Sequence, residues 1–184
     1  NGGPACSSMD GLFLENGPLR LVKQPNSNQY QIELSEFSWH MAPAYTLYID
    51  QPVGTGLSFT TSGHYPTNDN EVNTDFYYFL TQFLKVHEDK FLQPLTKNDD
   101  NEDSDTTTNN NDERYTMKRP LFFSGESHAG HYIPSMMNYI QRQNKIPNVK
   151  DRSNTQYDIQ IPLAGALIGN GWIDPIYQYS VQDA

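Results

Sequence analysis

The sequence predicts an α/β domain, because apolar strand-like runs alternate with helical patterns along the chain. The apolar runs cover residues 44–50, 120–124 and 159–169, and the helical patterns cover 70–86 and about 127–142. Strands that are separated by helices usually pair in parallel, so we expect a mostly parallel sheet flanked by helices. The 184 residues of the chain fit within a single domain of this class, spanning 1–184.

The helix at 70–86 is predicted from the spacing of its apolar residues. They recur on one helical face, and they are Val72, Phe76, Phe79, Leu80 and Phe83. Asp69 or Asn70 is the expected N-cap, because a short polar side chain can accept a hydrogen bond from a free amide of the first turn. Pro134 is expected to bend or interrupt the second helix, and Pro162 to weaken the last strand.

The charge of the chain excludes one class of function. Its 12 basic and 22 acidic residues give a net charge of −10, which argues against a nucleic-acid-binding protein, since such a protein needs a basic face. Residues 98–113 are rich in Asp, Asn and Thr and contain no apolar residue. We therefore predict an acidic, disordered insertion at 97–116, which we interpret as a solvated surface loop.

The sequence offers no metal or cofactor site. The five histidines and the single cysteine, Cys6, show no zinc-ligand spacing, and the Asp-rich insertion lacks the central glycine of a calcium loop. The glycine-rich stretch NGGPACSS lacks the Gly-Lys-Ser/Thr ending of a phosphate-binding loop. We expect neither a cofactor nor a metal.

The stretch GESHAG, residues 125–130, lies between the strand at 120–124 and the helix that follows. A serine in a tight strand–turn–helix junction, with small residues beside it, is the nucleophile elbow of α/β-hydrolases. Here Gly125 and Ala129 occupy the small positions, and the hydroxyl of Ser127 would stand at the carboxyl edge of the sheet. The amide of His128 would point into an oxyanion site at the positive end of the helix. The alternative is a chance match, since short motifs recur.

Four further blocks accompany the elbow. They are NGGPACSS at 1–8, FLENGP at 13–18, DQPVGTGLS at 50–58 and GNGWIDP at 169–175. Together, and in this order, the blocks resemble the serine carboxypeptidases from residue 1 to about 175, apart from the acidic insertion. The resemblance implies an α/β-hydrolase fold that is present here in part, with residues 1–184 as the N-terminal part of a single catalytic domain. The last two blocks are most similar to the fungal branch that trims C-terminal Lys and Arg from pheromone and killer-toxin precursors.

The resemblance implies a role for each matching position. Ser127 would be the acylating nucleophile, and the amides of Gly3 and His128 would form the oxyanion hole. The substrate's terminal carboxylate would be bound by a set of three residues, Asn1, Glu15 and Glu126. A carboxylic acid that faces a carboxylate shares a proton with it, which favours activity at low pH.

Two positions depart from the family pattern. Ala5 stands where the family usually has glycine, and if that position needs a positive φ, alanine costs roughly 1 kcal/mol. His128 stands where the family usually has tyrosine. The oxyanion role uses the backbone amide and survives this change, whereas the side chain would alter the pocket for the residue before the scissile bond.

The general base is not identified by the sequence. His131 lies one helical turn beyond Ser127 and points along the helix, while His40, His64 and His87 precede the serine, against the usual α/β-hydrolase order. In the family, the catalytic Asp and His and the disulfide partner of Cys6 lie further downstream, and a strand precedes the first block. We therefore expect an internal piece of a longer enzyme that is inactive on its own.

Two other functions remain open from the sequence. One is an esterase or acyltransferase of the same fold, although Glu15 and Glu126 favour a peptidase. The other is a non-catalytic remnant that acts at most as a binding module. The resemblance implies a peptide or protein substrate with a free C-terminus, no nucleic acid or metal, and a membrane anchor only if one is encoded outside this segment. It also implies the secretory pathway, in particular the trans-Golgi, with the vacuole or secretion as alternatives.

Overall fold

The computed structural model describes residues 2–95, 114–146 and 159–179, and these residues form two units. The first unit comprises the described parts of 1–68, 125–131 and 168–184, and the second comprises those of 69–124 and 132–167. The chain passes from one unit to the other at 68–69, 124–125, 131–132 and 167–168. Asn1 and residues 97–113 of the expected insertion lie outside the described residues.

The first unit contains a β-hairpin that the sequence reasoning missed. Strand β1 (Leu19–Lys23) pairs antiparallel with β2 (Tyr30–Leu34), with Leu19 opposite Leu34. A π-helical turn at Gly11–Glu15 precedes the hairpin, and a 3₁₀ turn at Trp39–Met41 follows it. The signal was present in the sequence, because Tyr30, Ile32 and Leu34 alternate with polar residues as in a strand.

The strand predicted at 44–50 is wrong. This stretch has no regular secondary structure, and none of its residues before Asp50 is buried; Tyr45 is 69% and Leu47 is 47% exposed. An apolar run becomes a strand only where a neighbouring strand can pair with its backbone, and within the described residues none does so here. Only its last residue, Asp50, is buried.

The second unit is built on two helices, α1 (Asp69–Val86) and α3 (Ala129–Asn144), the latter reaching it from the first unit. The short helix α2 (Glu88–Phe91) lies between them in sequence. The predicted helix at 70–86 is confirmed. It begins at Asp69, so Asp69 and Asn70 belong to its first turn and do not precede it as a cap. Pro134 lies inside α3 without ending it, because the neighbouring residues Tyr132, Ile133 and Met136 are buried in the core.

The core of the second unit lies along α1 and α3. Most of the predicted apolar face of α1 is buried, while Phe79 is partly exposed. The ring of Phe76 lies 5.7 Å from that of Phe123, and the ring of Tyr77 lies 5.7 Å from that of Tyr139. Each fully buried side chain of this kind contributes about 2 kcal/mol to stability. The buried amide of Asn73 is satisfied by the hydroxyl of Ser135 at 2.8 Å.

Strands complete the α/β architecture. Strand β4 (Tyr115–Met117) pairs antiparallel with β3 (Leu92–Pro94) and parallel with β6 (Ile159–Gln160). Since β4 includes Tyr115 and Thr116, the C-terminal end of the expected insertion at 97–116 overlaps a strand.

The last predicted strand is divided into two by Pro162. Strand β5 (Leu121–Glu126) pairs with β7 (Leu163–Gly169), while Ile161 and Pro162 separate β7 from β6. Proline cannot donate a hydrogen bond to a ladder, and the backbone of Ile161 is held by a side chain instead. The amide group of Asn144 bonds both the Ile161 N–H, at 3.0 Å, and its carbonyl, at 2.8 Å. The predicted weakening at Pro162 is confirmed.

Candidate active site

Ser127 occupies a sharp turn between β5 and α3. Its φ of +55° lies in the left-handed region, which costs a residue other than glycine about 1 kcal/mol or more. Backbone hydrogen bonds hold this conformation. The Ser127 amide donates to the Gly169 carbonyl at 2.9 Å, and its carbonyl accepts from Gly130 at 2.9 Å and from Trp172 at 2.8 Å. The strand–turn–helix geometry is that of a nucleophile elbow.

Two glycines that the sequence reasoning did not assign make this turn possible. A Cβ atom on Gly2 would lie 2.6 Å from the Ser127 Cβ and 2.8 Å from the His128 amide nitrogen. A Cβ atom on Gly130 would lie 2.8 Å from the Cα of Gly171. The first and last family-like blocks therefore contact the elbow at positions where only glycine fits. The doubled glycine at the start of the chain was the available signal for Gly2.

The loop that follows Gly2 is a tight turn with two left-handed residues. The Cys6 amide donates to the Gly2 carbonyl at 3.1 Å, and inside the turn Gly3 has a φ of +112° and Ala5 a φ of +66°. The conditional expectation for Ala5 is confirmed, because the position does need a positive φ and alanine is strained there. Gly3, the other residue predicted for the oxyanion site, directly follows Gly2, where a Cβ atom would lie 2.8 Å from the His128 amide nitrogen.

The two glutamates predicted to bind the substrate carboxylate lie in different elements of the first unit. Glu126 ends β5 directly before Ser127, and it is exposed. Glu15 ends the π-helical turn, also exposed, where its backbone carbonyl accepts from Arg20 at 3.3 Å. Burial, and to a lesser degree the negative charge of Glu15, raise the pKa of Tyr48. Both glutamates belong to the first unit, together with Gly3, Ser127 and His128.

An open pocket of about 680 Å³ lies against Ser127, and the block at 169–175 supplies much of its wall. The pocket is lined by Ser127, Asn170, Gly171, Trp172, Gln178 and Tyr179. The ring of His128 lies 5.4 Å from that of Trp172 and 5.5 Å from that of His131. Asp174 accepts from the Ile176 amide at 2.9 Å at the start of α4 (Pro175–Tyr179).

Gln178 holds the turn that forms this wall, and sequence reasoning missed it. Its side-chain oxygen accepts from the amides of Ile173, at 2.8 Å, and Asp174, at 3.0 Å. Its side-chain nitrogen donates to the Gly171 carbonyl at 2.8 Å. The residue between these partners, Trp172, donates to Ser127, so Gln178 supports the elbow indirectly. A glutamine between two tyrosines carries no sequence signal for such a role.

The described residues contain no group of three or more His, Cys, Asp or Glu side chains that could hold a metal ion. Among the same residues, no helix is both long enough and apolar enough to cross a membrane.

Comparison with known proteins decides the family. A family model described as serine carboxypeptidase matches residues 1–96 and 110–183. The chain belongs to this family. A pheromone-processing carboxypeptidase, KEX1, of Phytophthora infestans is 38% identical over 183 residues, covering 100% of this chain and 26% of the relative. Serine carboxypeptidase S10 family member 2 of Dictyostelium discoideum is 41% identical over 180 residues, covering 97% of this chain and 26% of the relative.

A comparison with solved structures gives the same family as these relatives. The crystal structure of Kex1(delta)p, a prohormone-processing carboxypeptidase from Saccharomyces cerevisiae, matches with a TM-score of 0.64 and 33% identity, covering 97% of this chain and 30% of that one. The chain thus has part of an α/β-hydrolase fold, and both the expected family and the expected similarity to the processing carboxypeptidases are confirmed. It spans about a quarter of the length of the curated relatives, at 26% for both of those described.

Proposed function

We propose that this chain carries the nucleophile of a serine carboxypeptidase that removes C-terminal residues, with a preference for Lys and Arg, from peptide precursors. The observation that carries the proposal is the left-handed φ of +55° at Ser127, held by hydrogen bonds from Gly130 and Trp172. Such strain at an exposed serine between a strand and a helix is found where the hydroxyl must be presented to a substrate.

The chemistry is acyl transfer. The Ser127 oxygen attacks the carbonyl carbon of the last peptide bond while a general base takes the hydroxyl proton. The same proton passes to the nitrogen of the C-terminal amino acid as the peptide bond breaks. Water then hydrolyses the acyl-enzyme. The amides of Gly3 and His128 would stabilise the charge that develops on the carbonyl oxygen. Neither His128 nor His131 is proposed as the general base, because the His128 ring packs against the rings of His131 and Trp172, and His131 lies one helical turn beyond Ser127.

Binding of the terminal carboxylate is the step that separates a carboxypeptidase from an esterase. We propose Glu126, Glu15 and Asn1 for it, and the position of Glu126 directly before the nucleophile supports the first of these. A glutamic acid can bond a carboxylate strongly only while one of the two is protonated, so activity should be highest at acidic pH.

The preference for basic residues is supported by two observations. Relatives of the chain are named for pheromone and prohormone processing. In addition, Trp172 and Tyr179 line the pocket beside Ser127, and aromatic faces attract cationic side chains. Because precursors of secreted peptides mature in the secretory pathway, we propose that compartment and, within it, the trans-Golgi. Its substrate partner is a peptide with a free C-terminus, with neither nucleic acid nor a metal involved, and any membrane anchor would be encoded outside this segment.

The test compares a peptide that ends in Arg with its C-terminal amide, using the full-length protein. We expect release of Arg from the free acid only, and loss of release in Ser127→Ala. The matched control is Ser124→Ala, because Ser124 is an exposed serine in the same strand, β5. Equal turnover of ester or amide substrates would instead identify an esterase or acyltransferase, and turnover by Ser127→Ala at the wild-type rate would refute the proposal.

A further inference from the structure

The carboxylate of Asp50 joins two loops of the first unit. It is only 7% exposed. Its Oδ1 atom accepts from the Ser7 hydroxyl at 2.8 Å and from the Ser8 amide at 2.7 Å, while Oδ2 accepts from the Leu57 amide at 2.8 Å. Asp50 thus connects the stretch that follows the Gly2–Cys6 turn to the loop at 50–58.

The residues around the Asp50 carboxylate leave room for it and hold its backbone in place. Gly56 has a φ of +52°, and a Cβ atom there would lie 2.2 Å from Oδ2, so only glycine leaves room for the side chain. The Ser58 hydroxyl donates to the Asp50 backbone carbonyl at 2.8 Å. Burial by itself would raise the pKa of Asp50, but the donors Leu57, Ser7 and Ser8 outweigh it and hold the pKa below its usual value. The group is therefore ionised, and its hydrogen bonds are charge-assisted.

These contacts anchor one end of the turn that carries Gly3. Ser7 directly follows Cys6, whose amide closes the turn onto Gly2. The other end is anchored because Gly2 packs on Ser127 and on the His128 amide. Between the anchors, Gly3 and Ala5 are both left-handed, and Ala5 is strained. A strained turn keeps its conformation only if its surroundings enforce it.

We propose that Asp50 is a positioning residue of the active site, which fixes the Gly2–Cys6 turn so that the Gly3 amide stays directed at the Ser127 reaction centre. This inference rests on the proposed function, in which Gly3 is an oxyanion donor. Asp50 does not contact the substrate in this account. It acts through Ser7 and Ser8, and its loss should affect the transition state more than substrate binding.

The test measures how fast an alkyl fluorophosphonate labels Ser127 in the full-length protein. In this reaction the serine oxygen bonds to phosphorus and fluoride leaves, while the phosphoryl oxygen takes up charge as the substrate carbonyl would. Asp50→Asn keeps the size of the side chain but directs an NH₂ group at either the Leu57 amide or the Ser7 and Ser8 donors. We expect labelling to slow by at least about tenfold, while KM for a peptide changes less than about threefold.

Asp10→Asn is the matched control. Asp10 lies three residues beyond Ser7 in sequence, is exposed, and makes no capping hydrogen bond with its side chain. The control should label at the wild-type rate. Ser7→Ala is the second variant, because it removes one donor and leaves the carboxylate in place. Ser7→Ala should also slow labelling of Ser127, as Asp50→Asn does. If Asp50→Asn does not fold, the result for Ser7→Ala decides the test.

The outcomes separate the two proposals. If the wild-type protein is labelled at Ser127 but Asp50→Asn and Ser7→Ala, per folded molecule, label as fast as wild type, the role of Asp50 is refuted and the proposed function stands. If the wild-type protein is labelled but releases no C-terminal residue, the proposed function fails, and the variants' labelling rates still decide the role of Asp50. If Ser127 is not labelled at all, both fail.

Discussion

Replacement of Gly2 by alanine tests the contact between the N-terminal turn and the nucleophile elbow. The new Cβ atom would lie 2.6 Å from the Ser127 Cβ, and 2.8 Å from both the Glu126 carbonyl oxygen and the His128 nitrogen. Non-bonded carbon atoms prefer separations of about 3.5–4.0 Å. None of these three atoms can rotate away, because two belong to the backbone and the position of a Cβ atom is fixed by the backbone. The turn must therefore move from the elbow by about 1 Å.

A displacement of this size at a reaction centre costs roughly 100-fold in rate. Loss of one oxyanion donor has a similar effect, about 10²–10³ in kcat. We therefore expect kcat of Gly2→Ala to fall by about 100-fold, equivalent to about 2.7 kcal/mol in the activation free energy. KM should change little, because the oxyanion donors act mainly in the transition state. The assay is steady-state release of Arg from a peptide by the full-length protein.

Gly63→Ala is the control for this experiment. Gly63 also has a positive φ, +75°, but a Cβ atom there meets no atom within 4 Å. The alanine should cost about 1 kcal/mol in stability, as at any left-handed position, without changing kcat. The reasoning is refuted if Gly2→Ala keeps kcat within about threefold of wild type, or if Gly63→Ala loses as much activity.

Three further predictions concern residues that hold the same site in place. Ala5→Gly should raise the free energy of unfolding by about 1 kcal/mol, since it relieves a φ of +66°; an unchanged urea midpoint would contradict this. Gln178→Ala should lower kcat by roughly tenfold, because it removes the hydrogen bonds that hold the turn bonded to Ser127. Gln82→Ala, at an exposed position of α1, is the control. Equal kcat values for the two variants would argue against a supporting role of Gln178. The pKa of Asp50 is lowered in the folded protein. The ionised carboxylate therefore contributes its full stabilisation above the pKa of the unfolded chain, about 3.9. This stabilisation is lost as the pH falls through the lower pKa of the folded protein. The difference in thermal midpoint between wild type and Asp50→Asn should therefore shrink as the solution is acidified below that value, and a constant difference would contradict this prediction.

Local sequence determines some features of the fold, and these could be predicted. They are helix α1, strand β5 and the break at Pro162. The apolar spacing of α1 needs no knowledge of its partners, and Pro162 cannot donate to a strand wherever it lies. The stretch at 44–50 was predicted wrongly because a strand also requires a neighbour, which an apolar run does not specify. Tyr45 and Leu47 are apolar and yet exposed in the structure.

The candidate site was predictable only where a motif carried it. Ser127 was predicted from GESHAG, and the conditional cost of Ala5 came from the resemblance of NGGPACSS to a family that usually has glycine at that position. Asp50 belongs to the block DQPVGTGLS, but its bonds to Ser7 and Ser8 join residues that are 43 and 42 positions apart in sequence. No pattern within either segment indicates that pairing. Gln178 was missed for the same reason, since its partners become neighbours only once the turn at 171–174 has formed.

The most direct test of the account is to trap the acyl-enzyme. The full-length protein would be mixed with a slowly deacylating substrate, quenched in acid within milliseconds to seconds, and digested for mass spectrometry. The account predicts that the acyl group is found on the peptide containing Ser127, and that the adduct is absent from Ser127→Ala. An acyl group on a different residue, or substrate turnover without any adduct at Ser127, would contradict it.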